Sequence, residues 1–364
     1  MSAAPRAGES VLNTWLFLID SGAPQPGSSG KIRGVQSLRR PEPRPSERRR
    51  SEPVSADGPG AGPRAGASGP ALPRRTALEI PVIAHRGASE DVPEHTLAAY
   101  EAALLQGADG LECDVRLTAD MQLVCVHDRR VNRTSNGRGV VSTLELAQLR
   151  QLDFGSWKQP AAGDEEYAEY PDLRREGAHR VLTLERLLEL VVEHPYRVEM
   201  AIETKHPTRY AGLVEEHLVA LLDRFGLAHP RLGQTSPVRV MSFSAMSVRR
   251  IRRLAPSLDT VLLLDRVPLR LRDGSLPRGV RIAGPGIHIL RTHPEYVERV
   301  HSMGNRVHVW TVDQPSDIDL CVELGVDAII SNRPKAVLAR LGRDGTAPPA
   351  TARHGVIELN PDSP

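Results

Sequence analysis

Lysine is almost missing from this chain: only 4 of its 364 residues are Lys, against 43 Arg. Cysteine is scarce as well, with Cys113, Cys125 and Cys321 as the full set. An odd number at unrelated spacings excludes a disulfide framework and a zinc pattern, and fits reducing surroundings. The chain has no dinucleotide-binding fingerprint of spaced glycines, and no apolar run near the ~20 residues needed to span a bilayer. The one targeting candidate, VLNTWLFLI at 11–19, is broken by Asn13 and Thr14 and followed directly by Asp20, so it is short even for a signal-peptide core. These absences leave a soluble cytoplasmic protein as the expectation.

What is present divides unevenly. The first 78 residues hold 11 of the 30 Pro and 10 of the 30 Gly, in runs such as RRPEPRPSERRRSEP. Such a segment cannot bury enough apolar surface to offset its ordering entropy, which predicts a disordered tail over 1–78. It carries 12 Lys and Arg against 6 acids, leaving 35 against 39 for the rest, so the slight basicity of the whole belongs to the tail. A basic tail can touch nucleic acid or anionic lipid. Without interleaved aromatics or a binding motif it reads as a solvated segment, and no nucleic-acid partner is expected.

From residue 79 to 342 short apolar runs alternate with helix-length segments, and 343–364 reads as a flexible C-terminal tail. The extended candidates are 81–85, 110–115, 122–127, 197–205, 238–243, 259–264, GIHIL at 286–290, 306–312 and 326–331. Helical periodicity fills 94–106, 183–194, 212–225, 245–255, 294–303 and 315–325. Strands alternating with helices call for a parallel sheet. About eight such units favour an α/β fold, a distorted (β/α)8 TIM barrel. QLVCVH follows GLECDV too closely for a crossover helix, so the two should pair as a hairpin. Residues 129–182, with the short helix STLELAQLRQL, form an insertion after the third strand on the active face.

Side chains alternate along a strand, so Glu112 and Asp114 in GLECDV share one face. Glu203 and Lys205 share a face in AIETK. Unpaired buried carboxylates would cost several kcal/mol each, so something cationic must meet them. One reading is a hard, oxygen-rich site for Mg or Ca; the other is an ion-pair network with Arg86, Arg116 or Lys205. The acids lie toward the C-terminal ends of their strands, where barrel enzymes place their sites. His85 and His127 end two strands beside this cluster. Paired histidines there suit acid–base attack on a phosphate ester, with Arg86 holding nonbridging oxygens. The parity of Asp114 and His127 puts Cys113 and Cys125 on different faces of the hairpin, which excludes a disulfide between them.

The ordered set HRG, PEHT, GLECDVRLTAD, VCVHD, IETK, MSF, VWTVD and GVDAIISNRP, from about Ile83 to Pro334, resembles the glycerophosphodiester phosphodiesterase family. The resemblance implies metal-dependent hydrolysis of a small-molecule glycerophosphodiester to sn-glycerol 3-phosphate and an alcohol. It implies His85 and His127 as the general acid and base, and Glu112, Asp114 and Glu203 as ligands of one divalent cation, Mg or Ca. Arg86 and Lys205 are then the phosphate-binding cations and Trp310 an aromatic wall for the glycerol. Three positions depart from the family pattern: His95 stands where Asn is usual, Met121 where the hairpin turn carries Gly, which predicts a looser turn, and Asn332 where Asp is usual. Two rivals remain: lysophospholipase D-like head-group cleavage, and a catalytically silent barrel that binds phosphodiesters or a protein. The sequence does not fix the oligomeric state.

Overall fold

The structure is a computed structural model that describes residues 75–158, 179–231 and 233–343. The stretch through residue 74, with its apolar run at 11–19, the acid-rich part of the insertion at 159–178, and residues 344–364 lie outside the described residues. Among the described residues, no helix is long and apolar enough to cross a membrane.

Eight parallel strands close into a barrel: β1 (Val82–His85), β2 (Gly110–Leu117), β4 (Glu199–Thr204), β5 (Val238–Ser242), β6 (Asp259–Leu264), β7 (Ile282–Pro285), β8 (Arg306–Val309) and β9 (Ala328–Ser331). Pairing of β1 with both β2 and β9 completes the ring. The ninth strand, β3 (Leu123–Cys125), runs antiparallel to the overhanging end of β2, as the short RLTADM connection requires. Helices α1 (Leu97–Leu105), α3 (Leu184–Glu193), α4 (Leu213–Arg224), α5 (Ala245–Leu254), α6 (Ile287–Thr292), α7 (Glu295–Ser302), α8 (Pro315–Leu324) and α9 (Pro334–Arg340) cover the outside, and the single turn α2 (Leu146–Leu149) belongs to the insertion. Two apolar clusters fill the layer between strands and helices, and a third, including Ile83, Ala201, Met241, Val261 and Ile330, plugs the barrel.

The GIHIL strand is a misreading. The chain uses Ile282–Pro285 as β7 and turns Ile287–Thr292 into helix α6. Apolar–polar–apolar spacing at Ile287, His288 and Ile289 imitates a strand, but the apolar run continues to Leu290; Ile287 and Leu290, three apart, share a helical face, and Ile289 is buried with them while His288 is exposed. Gly284, a poor strand former, is needed in β7 because an added Cβ would lie 2.8 Å from Leu263 and 2.9 Å from Val261.

The hairpin also needs two corrections. Val115 opposes Cys125, so Cys113, two residues from Val115, shares a face with Cys125, and both thiols point into the outer core. Parity does not carry through to His127, because β3 stops at Cys125 and His127 no longer follows the pleat. Both thiols are free. The turn is not loose either: Thr118 N donates to Gln122 O at 3.0 Å, and Asp120 Oδ1 accepts from Thr118 Oγ1 and Leu146 N. Met121 meets the turn's demand by adopting φ 61°.

The insertion is anchored by its own small core, in which Val131, Val141, Leu149 and Phe154 pack on Val124 and Val126. At the far end of the barrel Asp109 accepts Val82 N at 2.7 Å and two hydrogen bonds from Arg343, each 2.7 Å. Both side chains of the pair are about nine-tenths buried. Losing one partner of such a pair costs ~3–5 kcal/mol. Arg343→Ala should therefore lower the denaturant midpoint markedly with an unchanged m-value; an unchanged midpoint would show that the pair contributes nothing.

Candidate active site

Register assembles the site. His85 lies beside Glu112, and Asp114 beside Glu203, on neighbouring parallel strands, so four predicted side chains reach the C-terminal mouth of the barrel at two adjacent levels. A backbone bond from Val126 N to Asp114 O brings His127 to the same place. The HRG turn completes the wall: Gly87 has φ 84°, and a Cβ there would lie 2.6 Å from Ala99 backbone. His85, Arg86, Glu112, His127, Glu203, Lys205 and Trp310 all line one pocket of about 250 Å³. Asp114 lies beneath them at 1% exposure.

Oxygens of Glu112, Asp114 and Glu203 lie within 4.8 Å of one another, so the cluster is able to hold a metal ion. Their electrostatics differ. Burial acts on Asp114 first, but the His95 hydrogen bond, Lys205 and Arg86 overcome it and hold this carboxyl well below its ordinary range. Burial and the Asp114 charge push Glu112 well up, and the same two causes push Glu203 to about 7. Three acids in this space lack enough cationic compensation from the protein alone, which is the arrangement a hard divalent cation resolves.

The cations present are fixed. Lys205 Nζ lies 2.9 Å from Glu203 and 3.1 Å from Asp114. Arg86 donates to Glu94 at 3.0 Å, and its backbone N donates to Glu112 Oε2 at 3.0 Å. Its Nε is 3.1 Å from Asp114 but makes no hydrogen bond, so that contact is coulombic.

Both histidines are held by Nδ1. Asn332 donates from Nδ2 to Asp313 at 2.7 Å, so its Oδ1 can only accept, and His85 Nδ1 donates to it at 2.7 Å. The free Nε2 lies 3.9 Å from Glu112. Burial and the Arg86 charge lower the His85 pKa to about 3. His127 Nδ1 meets Asp128 at 2.7 Å, and Asp128, held down to about 2 by Arg133 and by His127 itself, must accept. Burial lowers the His127 pKa, while Asp114 and Asp128 oppose that. Trp310 donates to Gly284 O at 2.7 Å and meets Phe243 edge-on at 5.3 Å, making an aromatic wall.

Four partners escaped the sequence reading as functional residues. Arg133, from the RTSNGRG segment, bonds Asp128 and Glu94 and so ties the insertion to both sides of the pocket. Glu94, although one residue from a noted position, carried no sign that it would bridge Arg86 to Arg133. His95 spans Tyr100 at 2.8 Å and Asp114 at 2.9 Å. Asn332 orients His85 from 247 residues away.

A model of the Glycerophosphoryl diester phosphodiesterase family matches residues 85–336. The chain belongs to this family. A Mycobacterium tuberculosis protein named "Probable glycerophosphodiester phosphodiesterase 1" is 48% identical over 270 residues, which is 73% of this chain and 93% of that protein. A Bacillus subtilis glycerophosphodiester phosphodiesterase is 35% identical over 259 residues, 70% of this chain and 84% of its own. Among solved structures, a glycerophosphodiester phosphodiesterase from Agrobacterium tumefaciens is similar with a TM-score of 0.57 at 26% identity, covering 71% of this chain and 99% of that one. An Oleispira antarctica phosphodiesterase, solved with the product sn-glycerol-3-phosphate, shares the fold with a TM-score of 0.59 at 23% identity, over 74% of this chain and all of the other. The family match covers every pocket-lining residue named above.

Proposed function

We propose that the chain hydrolyses glycerophosphodiesters to sn-glycerol 3-phosphate and an alcohol, with a bound divalent cation, Mg or Ca. The observation that carries this reading is the pairing of two Nδ1-anchored histidines with three clustered carboxylates and Arg86 in one pocket. Glu112, Asp114 and Glu203 would hold the cation, which when bound supplies positive charge to the nonbridging phosphate oxygens. Arg86 and Lys205 add to that charge, and Trp310 with Phe243 offers a face to the glycerol carbons.

His85 has a neutral oxygen, Asn332 Oδ1, as its Nδ1 partner, which leaves Nε2 as a lone pair suited to a base. His127 donates to the Asp128 carboxylate, which with the Asp114 charge works against the burial that lowers its pKa and favours the imidazolium form an acid needs. His85 Nε2 accepts the proton of the attacking oxygen as that oxygen bonds to phosphorus; the attacker is water, or the neighbouring glycerol hydroxyl, which gives a cyclic phosphate that water then opens. The bond from phosphorus to the alcohol oxygen breaks, and His127 Nε2 donates the proton that oxygen takes up. A water-soluble substrate and three free thiols fit a cytoplasmic setting.

The test is a panel of glycerophosphocholine, glycerophosphoethanolamine and lysophosphatidylcholine, assayed with EDTA and then with Mg or Ca restored. Release of glycerol 3-phosphate that stops with EDTA and returns with the cation is expected. Cleavage of the lysolipid alone would move the reading to head-group removal. No turnover, with no cation binding by calorimetry, would leave a silent binding barrel.

A further inference from the structure

A second cleft adjoins the pocket and shares only Lys205 with it. Arg116 on β2, Arg129 and Ser142 from the insertion, and Arg209 and Tyr210 from the loop after β4 form its walls. Four cations line it and no carboxylate does. Arg116 is partly buried, and both of its described hydrogen bonds, from Nε at 3.1 Å and Nη2 at 2.7 Å, go to a carbonyl, His127 O. Among the described residues, Arg116, Arg129 and Arg209 each lack an ion-pair partner. Arg209 instead lies 5.6 Å from the Tyr210 ring centroid, and Tyr210 is bound to Ser142 O at 2.8 Å, linking loop to insertion. By contrast, Arg291, Arg340 and Arg343 each meet a carboxylate at 2.5–2.8 Å.

The three arginines, none of them ion-paired to a described carboxylate, repel one another, and an anion among them lowers that cost. The position says which anion. Arg116 holds the backbone of His127, the residue assigned above to the departing alcohol, and Lys205 borders both spaces. We propose that this cleft is a subsite for a second negative charge on the departing alcohol, so that the preferred substrates are glycerophosphodiesters whose alcohol itself carries an anion such as a phosphate monoester. The proposal rests on the phosphodiesterase reading. The cleft encloses only about 30 Å³, so the anion sits at its mouth, between the exposed arms of Arg129 and Arg209. Charge there also disfavours a choline or ethanolamine alcohol.

The experiment compares glycerophosphoglycerol with the same diester carrying a phosphate on its departing glycerol, at low and high salt. The expected kcat/KM is about tenfold or more higher for the phosphorylated substrate at low salt, narrowing as salt screens the exposed arginines. In the Arg129→Gln/Arg209→Gln double variant the preference should collapse. Equal kcat/KM for the two substrates, or a preference that survives the double substitution, overturns the subsite. If neither diester is cleaved the hydrolase reading falls, and calorimetry with the phosphorylated diester in EDTA decides the rest. Binding lost in the double variant supports the subsite on its own, and binding equal in both proteins overturns it.

Discussion

His127→Ala should lower kcat on glycerophosphocholine by about 10²- to 10⁴-fold, the range a positioned acid contributes, with the denaturant midpoint and cation affinity little changed. The side chain is one-third exposed at the pocket edge, and its partner Asp128 keeps Arg133, so the loss leaves no stranded buried charge. Leaving-group chemistry separates the acid role from a structural one. An alkoxide departs poorly without a proton, whereas p-nitrophenolate departs readily. On a glycerophosphodiester of p-nitrophenol, therefore, the same variant should recover most of its rate relative to the unmodified protein. His85→Ala, lacking the base, should be impaired on both substrates. Equal losses for His127→Ala on the two substrates would remove it from the acid role.

Much of this site could be read from local sequence because strand parity is local. Glu112 and Asp114 share a face in any strand register, and so do Glu203 and Lys205, while His85 closes β1 and His127 follows two residues after β3. The failures have a common cause in tertiary context. GIHIL alternates like a strand, yet the barrel takes the weaker-looking IAGP, where Gly284 packs closely against Val261 and Leu263 of the neighbouring strand. The parity of Asp114 and His127 misled because a three-residue strand ends before the second of them. Asn332 and Arg133 act across 247 and 39 residues, on His85 and Glu94 respectively, distances at which no periodic signal survives. His95 stood out as a departure from the family pattern, but its bond to Asp114 appears only once α1 is packed against β2.

The second large effect concerns the carboxylate cluster, where function and stability should move in opposite directions. Glu203→Gln keeps the shape of the side chain and an acceptor for Lys205 Nζ, now 2.9 Å from Oε1, but removes one of three charges within 4.8 Å. Loss of a ligand should weaken divalent-cation binding by about 10²-fold or more, above the 10- to 100-fold cost of disturbing an outer partner. EDTA-sensitive turnover should fall with it. The cation-free variant should nevertheless melt higher than the cation-free native protein at pH 7. The sign follows from linkage. Glu203 holds its proton to about pH 7 in the folded chain, whereas an unfolded glutamate releases it near ~4.3. Between those values the folded state binds more protons, so the contribution of Glu203 is full below ~4.3 and is lost as pH rises toward 7. The melting difference between variant and native protein in EDTA should therefore widen from pH 4.5 to 7. Added Mg or Ca, competing with that proton, should stabilise the native protein more at pH 7 than at pH 5, and the variant little at either. A variant that melts lower than the native protein in EDTA at pH 7 would show that Lys205 and Arg86 already neutralise the cluster, and that no cation is needed to hold it together.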